Sequence, residues 1–236
     1  MKKLLLIVFI IGSSGVMAQE QVKSAVPADS IPFEVRKQAY IYNLATKYND
    51  PAVARMALYN LVASSQNSLH LMDTLALMYL EYEQYASAAL VSQDVYQINP
   101  NDLFAAEIAA VSFEQLGVYN KAVDYYEKLY LESNDLGTLY KMAFLQLNLK
   151  RYGESIANAD IIIGSEESDN LKLIFPTQEN NNQQVSLKAA SLRLKGMVEA
   201  SRGNKELAKE HYQKALELEP EFQVLKQQIS ELDKGN

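Results

Sequence analysis

The 236-residue chain has no cysteine and no tryptophan, only two histidines, and few glycines (9) or prolines (6). Without cysteine there are no disulfide frameworks, thiolate zinc sites, cysteine nucleophiles or thioether-linked lipids. Two histidines are too few for a histidine-rich metal site. Scarce glycine and proline exclude collagen-like and low-complexity classes. Basic residues are outnumbered 22 to 29, for a formal charge of −7. That balance opposes the basic patch a nucleic-acid partner demands. Apolar residues are abundant at 48%, enough for one or two domains with real cores.

The only unbroken apolar run of note lies at the start. Lys2 and Lys3 precede eight apolar residues at 4–11, then Gly12, Ser13, Ser14 and Gly15, then Val16-Met17-Ala18. Eight helical residues span about 12 Å, far short of a ~30 Å hydrocarbon core. The pattern reads as a secretory signal peptide over 1–18, cleaved before Gln19. Loss of the two lysines takes the formal charge from −7 to −9. With no cysteine to accept lipid at the new terminus, the expectation is a periplasmic or secreted protein without stable membrane insertion. Residues 19–31 form a polar, proline-interrupted linker.

From there on, apolar residues recur at three and four, and Gly or Asn-Pro breaks the pattern about every fifteen residues. This predicts an all-α chain. The breaks repeat. Ala76, Ala110 and Ala143 are 34 and 33 apart, as are Tyr85, Tyr119 and Tyr152. Met72-x2-Leu75-Ala76-x2-Tyr79 is followed nine residues on by Ala88. Ala106-x2-Ala109-Ala110-x2-Phe113 is followed by Ala122 and Tyr126. Leu139-x2-Met142-Ala143-x2-Gln146 leads to Ser155 and Ala159. Leu192-x2-Lys195-Gly196-x2-Glu199 leads to Ala208, Tyr212 and Pro220. Small residues at both positions let two antiparallel helices approach closely, and large neighbours fill the space to the next pair. Pro100 and Pro220 fall where a second helix must stop, and Asn134 holds the same place in its copy.

The motif resembles the tetratricopeptide repeat (TPR), a 34-residue helix-turn-helix. The resemblance implies a right-handed α-solenoid of helix-turn-helix repeats with a C-terminal capping helix. It departs in letters: no copy has the family's Trp, Gln146 and Ser155 replace an aromatic and an Ala, and Lys195 replaces Leu. Three TPR-like repeats are expected over 69–164 and a fourth over 185–221. Residues 32–66 read as a degenerate N-terminal helix pair, with Tyr42 at the small position. Residues 222–236 read as a capping helix with Phe222, Leu225, Ile229 and Leu232 on one stripe. The third and fourth small positions are 53 apart. The excess places an inserted loop at 165–184, either a binding-face loop or a mobile one.

Catalysis finds little support. His70 and Asp73 stand three apart on one helix and read as a surface pair, and His211 lies in a different repeat. No phosphate loop, nucleophile elbow or metal-spaced cluster is present. The Glu166, Glu167 and Asp169 run lacks the alternation and Gly of a calcium loop. The expectation is no enzyme, no cofactor and no metal. In TPR proteins the first helix of each pair lines a concave groove. The positions three before and one after the small residue then face a partner: Asp73 and Leu77, Glu107 and Val111, Tyr140 and Phe144, Arg193 and Met197. His70 and Phe104 join the row. Asp73 and Glu107 occupy the places where carboxylate-clamp members put Lys or Arg, and Asn is missing, so a free acidic C-terminus is not the expected ligand. Asp73 and Glu107 beside apolar positions favour a protein or peptide with an apolar segment and a basic flank. The expected role is a non-enzymatic interaction module of the bacterial envelope. The alternative is a permanent accessory subunit of an envelope complex.

Overall fold

The computed structural model describes residues 31–65, 68–177 and 181–234. The expected signal peptide over 1–18 and nearly all of the expected linker over 19–31 lie outside them. Among the described residues there are eleven α-helices. They run α1 (Phe33–Lys47), α2 (Pro51–Ser64), α3 (Leu69–Glu81), α4 (Tyr85–Ile98), α5 (Leu103–Gln115), α6 (Tyr119–Ser133), α7 (Leu136–Asn148), α8 (Tyr152–Gly164), α9 (Leu187–Ser201), α10 (Lys205–Leu218) and α11 (Gln223–Lys234). The chain divides at Val118 and Tyr119 into an N-terminal unit holding α1–α5 and a C-terminal unit holding the rest.

The turn inside each pair is one device used five times. The helix runs out at Tyr48, Tyr82, Leu116, Leu149 and Arg202. The next residue, Asn49, Glu83, Gly117, Lys150 or Gly203, has φ between 55° and 85°. The residue after that donates its N–H at 2.8 Å to a carbonyl five back: Asp50 to Ala45, Gln84 to Tyr79, Val118 to Phe113, Arg151 to Gln146 and Asn204 to Glu199. This is the Schellman ending, which satisfies carbonyls the helix leaves open. Asn134 also has positive φ (52°), in the turn from α6 to α7. Helix starts carry their own signals. Asp50, Asp102, Asp135 and Ser186 each accept a hydrogen bond from a backbone N–H three residues on, which settles an otherwise open donor.

The expected small positions lie in the core. Ala76, Ala88, Ala110, Ala122, Ala143, Ala159 and Ala208 are fully buried. In the N-terminal unit Leu58, Leu61, Leu75, Ala76, Tyr79, Ala88 and Ile108 form one apolar cluster, with Val35, Ala39 and Tyr42 of α1 packed on it. In the C-terminal unit Gly196 of α9 meets Tyr212 of α10 so closely that an added Cβ would overlap the ring. Helix α11 closes α10 with Phe222 and Leu225, both fully buried.

The 165–184 segment is not the plain loop expected. A 3-10 turn spans Glu166–Asp169, and β1 (Lys172–Pro176) pairs antiparallel with β2 (Asn182–Ser186), Leu173 opposite Val185 and Phe175 opposite Gln183. Leu173, Phe175 and Val185 point to one buried face. Each strand is only five residues long, so the period-2 signal is too short to stand out against the helical pattern.

Candidate functional site

In the N-terminal unit the predicted row is open. Phe104 of α5 is 44% exposed, Glu107 and His70 are exposed, and Asp73, Leu77 and Val111 are half-buried. Leu77 has two roles: it packs on the apolar cluster, and it lines a cleft of about 280 Å³ with Tyr42, Thr46, Asn49, Met78 and Glu81. The cleft lies between the α1–α2 turn and α3. Sequence reasoning passed over it because its walls come from residues about 30 apart in the chain.

Asp73 is electrostatically unusual. Burial, and then the nearby charge of Asp102 at the start of α5, raise its pKa to about 6, against an opposing pull from His70. Its Oδ1 is buried and has no hydrogen-bond partner among the described residues. His70 spends its backbone carbonyl on Thr74 Oγ1, which donates at 2.8 Å.

The row is closed at two of its positions in the C-terminal unit. Tyr140 (2% exposed) and Arg193 (8%) are buried, while Phe144 and Met197 are half-buried. Tyr140 and Arg193 were expected to face a partner, and this placement corrects that. For Arg193 the reason is the hairpin, Phe222 and α11. The Arg193 guanidinium lies 5.4 Å from the Phe175 ring and 5.9 Å from the Phe222 ring. Its Nε donates to Gln228 Oε1 at 2.7 Å. The Phe175 and Phe222 rings meet edge-on at 4.9 Å. The Gln183 side chain stitches hairpin to helix, donating to the Glu221 carbonyl at 2.7 Å and accepting from the Gln223 N–H at 3.1 Å. Lys172 and the Ser186 N–H both reach Glu219. These positions are therefore filled by the chain itself. Burial raises the Tyr140 hydroxyl pKa, with the Arg193 charge opposing.

A second polar cluster lies between α7 and α8. The buried Gln146 amide donates to Glu154 at 3.3 Å and accepts from Asn158 at 2.8 Å, and Arg151 Nε donates to Glu154 at 2.8 Å. Every member is satisfied, so it reads as structure. The His211 Nδ1 is buried without a hydrogen-bond partner among the described residues, and burial, then Lys195 and Lys214, lower its pKa. His70 and His211 belong to different units. Among the described residues no group of three or more His, Asp or Glu is placed to hold a metal ion, and no helix is long and apolar enough to cross a membrane.

No family model matches the sequence, and no curated protein does. Solved structures do. MamA from Desulfovibrio magneticus RS-1 is 13% identical, covers 82% of this chain and 99% of its own, and superposes with a TM-score of 0.59. A tetratricopeptide repeat protein from Parabacteroides merdae is 15% identical, covers 84% of this chain and 72% of its own, with a TM-score of 0.63. The likeness establishes the fold: all-α and TPR-type, with helix pairs repeating along the chain.

Proposed function

We propose that this chain is a non-enzymatic protein-interaction module that takes a partner segment on the α3–α5 row of its N-terminal unit. The observation that carries the reading is the contrast between the two units. Leu77, Phe104, Glu107 and Val111 stay accessible, whereas Tyr140 and Arg193 are filled from within the chain. The cleft beside Leu77 suits an aliphatic or aromatic anchor. Asp73, whose Oδ1 has no hydrogen-bond partner among the described residues, and Glu107 suit a Lys or Arg next to that anchor. A preformed surface on rigid helices spares the ordering cost of binding. The signal-like start supports a place in the bacterial envelope.

The test is capture from a native envelope fraction, followed by titration of the segments recovered. Phe104→Ala should weaken binding by about 2 kcal/mol, as truncation of a buried anchor does, and leave the melting temperature unchanged. Asp73→Lys with Glu107→Lys should lower the on-rate and the salt dependence. Capture that is indifferent to all three substitutions would sink the assignment.

A further inference from the structure

Helix α1 is apolar on two opposite faces. Its inner face packs Val35, Ala39 and Tyr42 on the core of the N-terminal unit. Half a turn away Phe33, Tyr40, Leu44 and Tyr48 follow one another at seven, four and four residues, which is a single ridge of a helix. All four are exposed, at 68%, 67%, 41% and 69%. A surface helix normally buries one apolar stripe and turns polar residues to water, so a second, exposed ridge departs from the pattern. Eight of the nineteen exposed large hydrophobics among the described residues fall between Ile31 and Tyr59, in one helix pair of five. A concentration of that kind marks an interaction surface.

The repeat itself says what shape fits there. The first helix of every later pair is packed against the second helix of the pair before it: α3 on α2 and α5 on α4, then α7 on α6 and α9 on α8. Among the described residues no helix precedes α1. At the other terminus the chain supplies its own closing helix, α11, with an apolar stripe and a polar back. Among the described residues the outer ridge of α1 is thus an unfilled helix seat.

Charge decides what kind of helix. Arg36, Lys37 and Lys47 flank the ridge, and Lys47 lies 5.6 Å from the Tyr48 ring. The one acid of α1, Glu34, is 3.4 Å from Lys37. A second copy of α1 would bring these cations against their own kind. We propose that the outer ridge of α1 docks an amphipathic helix of a partner protein, with apolar side chains at helical spacing and an acidic rim. This seat is separate from the α3–α5 row.

The experiment uses the full chain and two synthetic helices with the same leucine face, one rimmed by glutamate and one by lysine, titrated by fluorescence anisotropy. The glutamate-rimmed helix should bind, and the lysine-rimmed helix should bind at least about ten-fold more weakly. Tyr40→Asp with Leu44→Asp, and separately Phe33→Asp, should each weaken the first helix by about ten-fold or more with an unchanged circular dichroism spectrum. Equal binding of the two helices, or binding that survives these substitutions, overturns the proposal. So does a concentration-dependent dimer that Tyr40→Asp with Leu44→Asp abolishes, since a second copy then fills the seat. Binding that appears only after residues 19–30 are removed also overturns it, because the chain's own leader is then the occupant.

Discussion

Where the repeat departs from its own pattern, the replacement residue brings its own partner. Ser155 stands in place of a core Ala, and its hydroxyl donates at 2.8 Å to the carbonyl of Ala143, the small residue it faces. Lys195 replaces an apolar residue and reaches Asp160 at 2.6 Å. Glu199, 5% exposed where Tyr79 and Phe113 stand in earlier copies, accepts from Arg202 at 2.9 Å and from Asn204 at 2.6 Å. Gly196 is the small position in its tightest form. Gly196→Ala should destabilise by about 1–3 kcal/mol, as overpacking does, whereas Gly153→Ala, whose methyl meets nothing within 4 Å, should gain about 0.5–1 kcal/mol. Chemical denaturation midpoints check both. Asp73 supplies a pH prediction. Its folded pKa of about 6 lies above the unfolded value, so folding takes up a proton between the two. The stability this confers is complete below pH ~4 and lost as pH rises through ~6. Asp73→Asn should therefore raise the melting temperature at pH 7 and leave it unchanged at pH 4. A gain equal at both pH values would mean that charge is not the cause.

Among the elements, the five Schellman turns share one backbone and differ in the residue that adopts it. Gly117 and Gly203 enter the left-handed region freely, but Glu83 (φ 56°) and Lys150 (φ 60°) do so at a cost. The cost for an L-residue is about 1 kcal/mol. Lys150→Gly and Glu83→Gly should each stabilise by roughly that amount, read as a shift in denaturant midpoint. The hairpin is the other element with a defined task. Its Phe175 is buried against Arg193 and Phe222. Phe175→Ala should cost about 3 kcal/mol or more and open residues 165–186 to limited proteolysis, while the parent chain resists cutting there. Early cleavage of the parent in this stretch would mean that the hairpin is not held down.

At the scale of the whole molecule, circular dichroism should be dominated by helix, with a strand contribution too small to resolve. Intact mass of the chain recovered from an envelope fraction should begin at Gln19, and a product that retains residues 1–18 would remove the basis for an envelope location. The three candidate positions outside the open row that deserve mutation are distinguished by exposure. Tyr140→Ala and Arg193→Ala should lower stability without a specific loss of partner capture, since both are buried. Phe144→Ala should fall between a structural and a surface effect.

The sequence by itself determined the helical period, the 34-residue spacing and the small positions. These rest on short-range physics: apolar residues at three and four, an Asp or Ser at a helix start, and a left-handed residue at each turn. Such features are written within a few residues of where they act, and 34-residue spacing repeats them until chance is excluded. Tertiary structure alone decided which groove positions stay open. Tyr140 and Arg193 obey the same local rule as Leu77 and Val111, and nothing near them in sequence distinguishes them. Arg193 is closed because Phe175, Phe222 and Gln228, 18, 29 and 35 residues away along the chain, fold back onto it, and Tyr140 is buried with Arg193 as its charged neighbour. The α1 ridge is the reverse case: the spacing of Phe33, Tyr40, Leu44 and Tyr48 is that of a packed stripe, and among the described residues no preceding helix covers it. Exposure is a property of what else arrives at a surface, and local pattern cannot encode it.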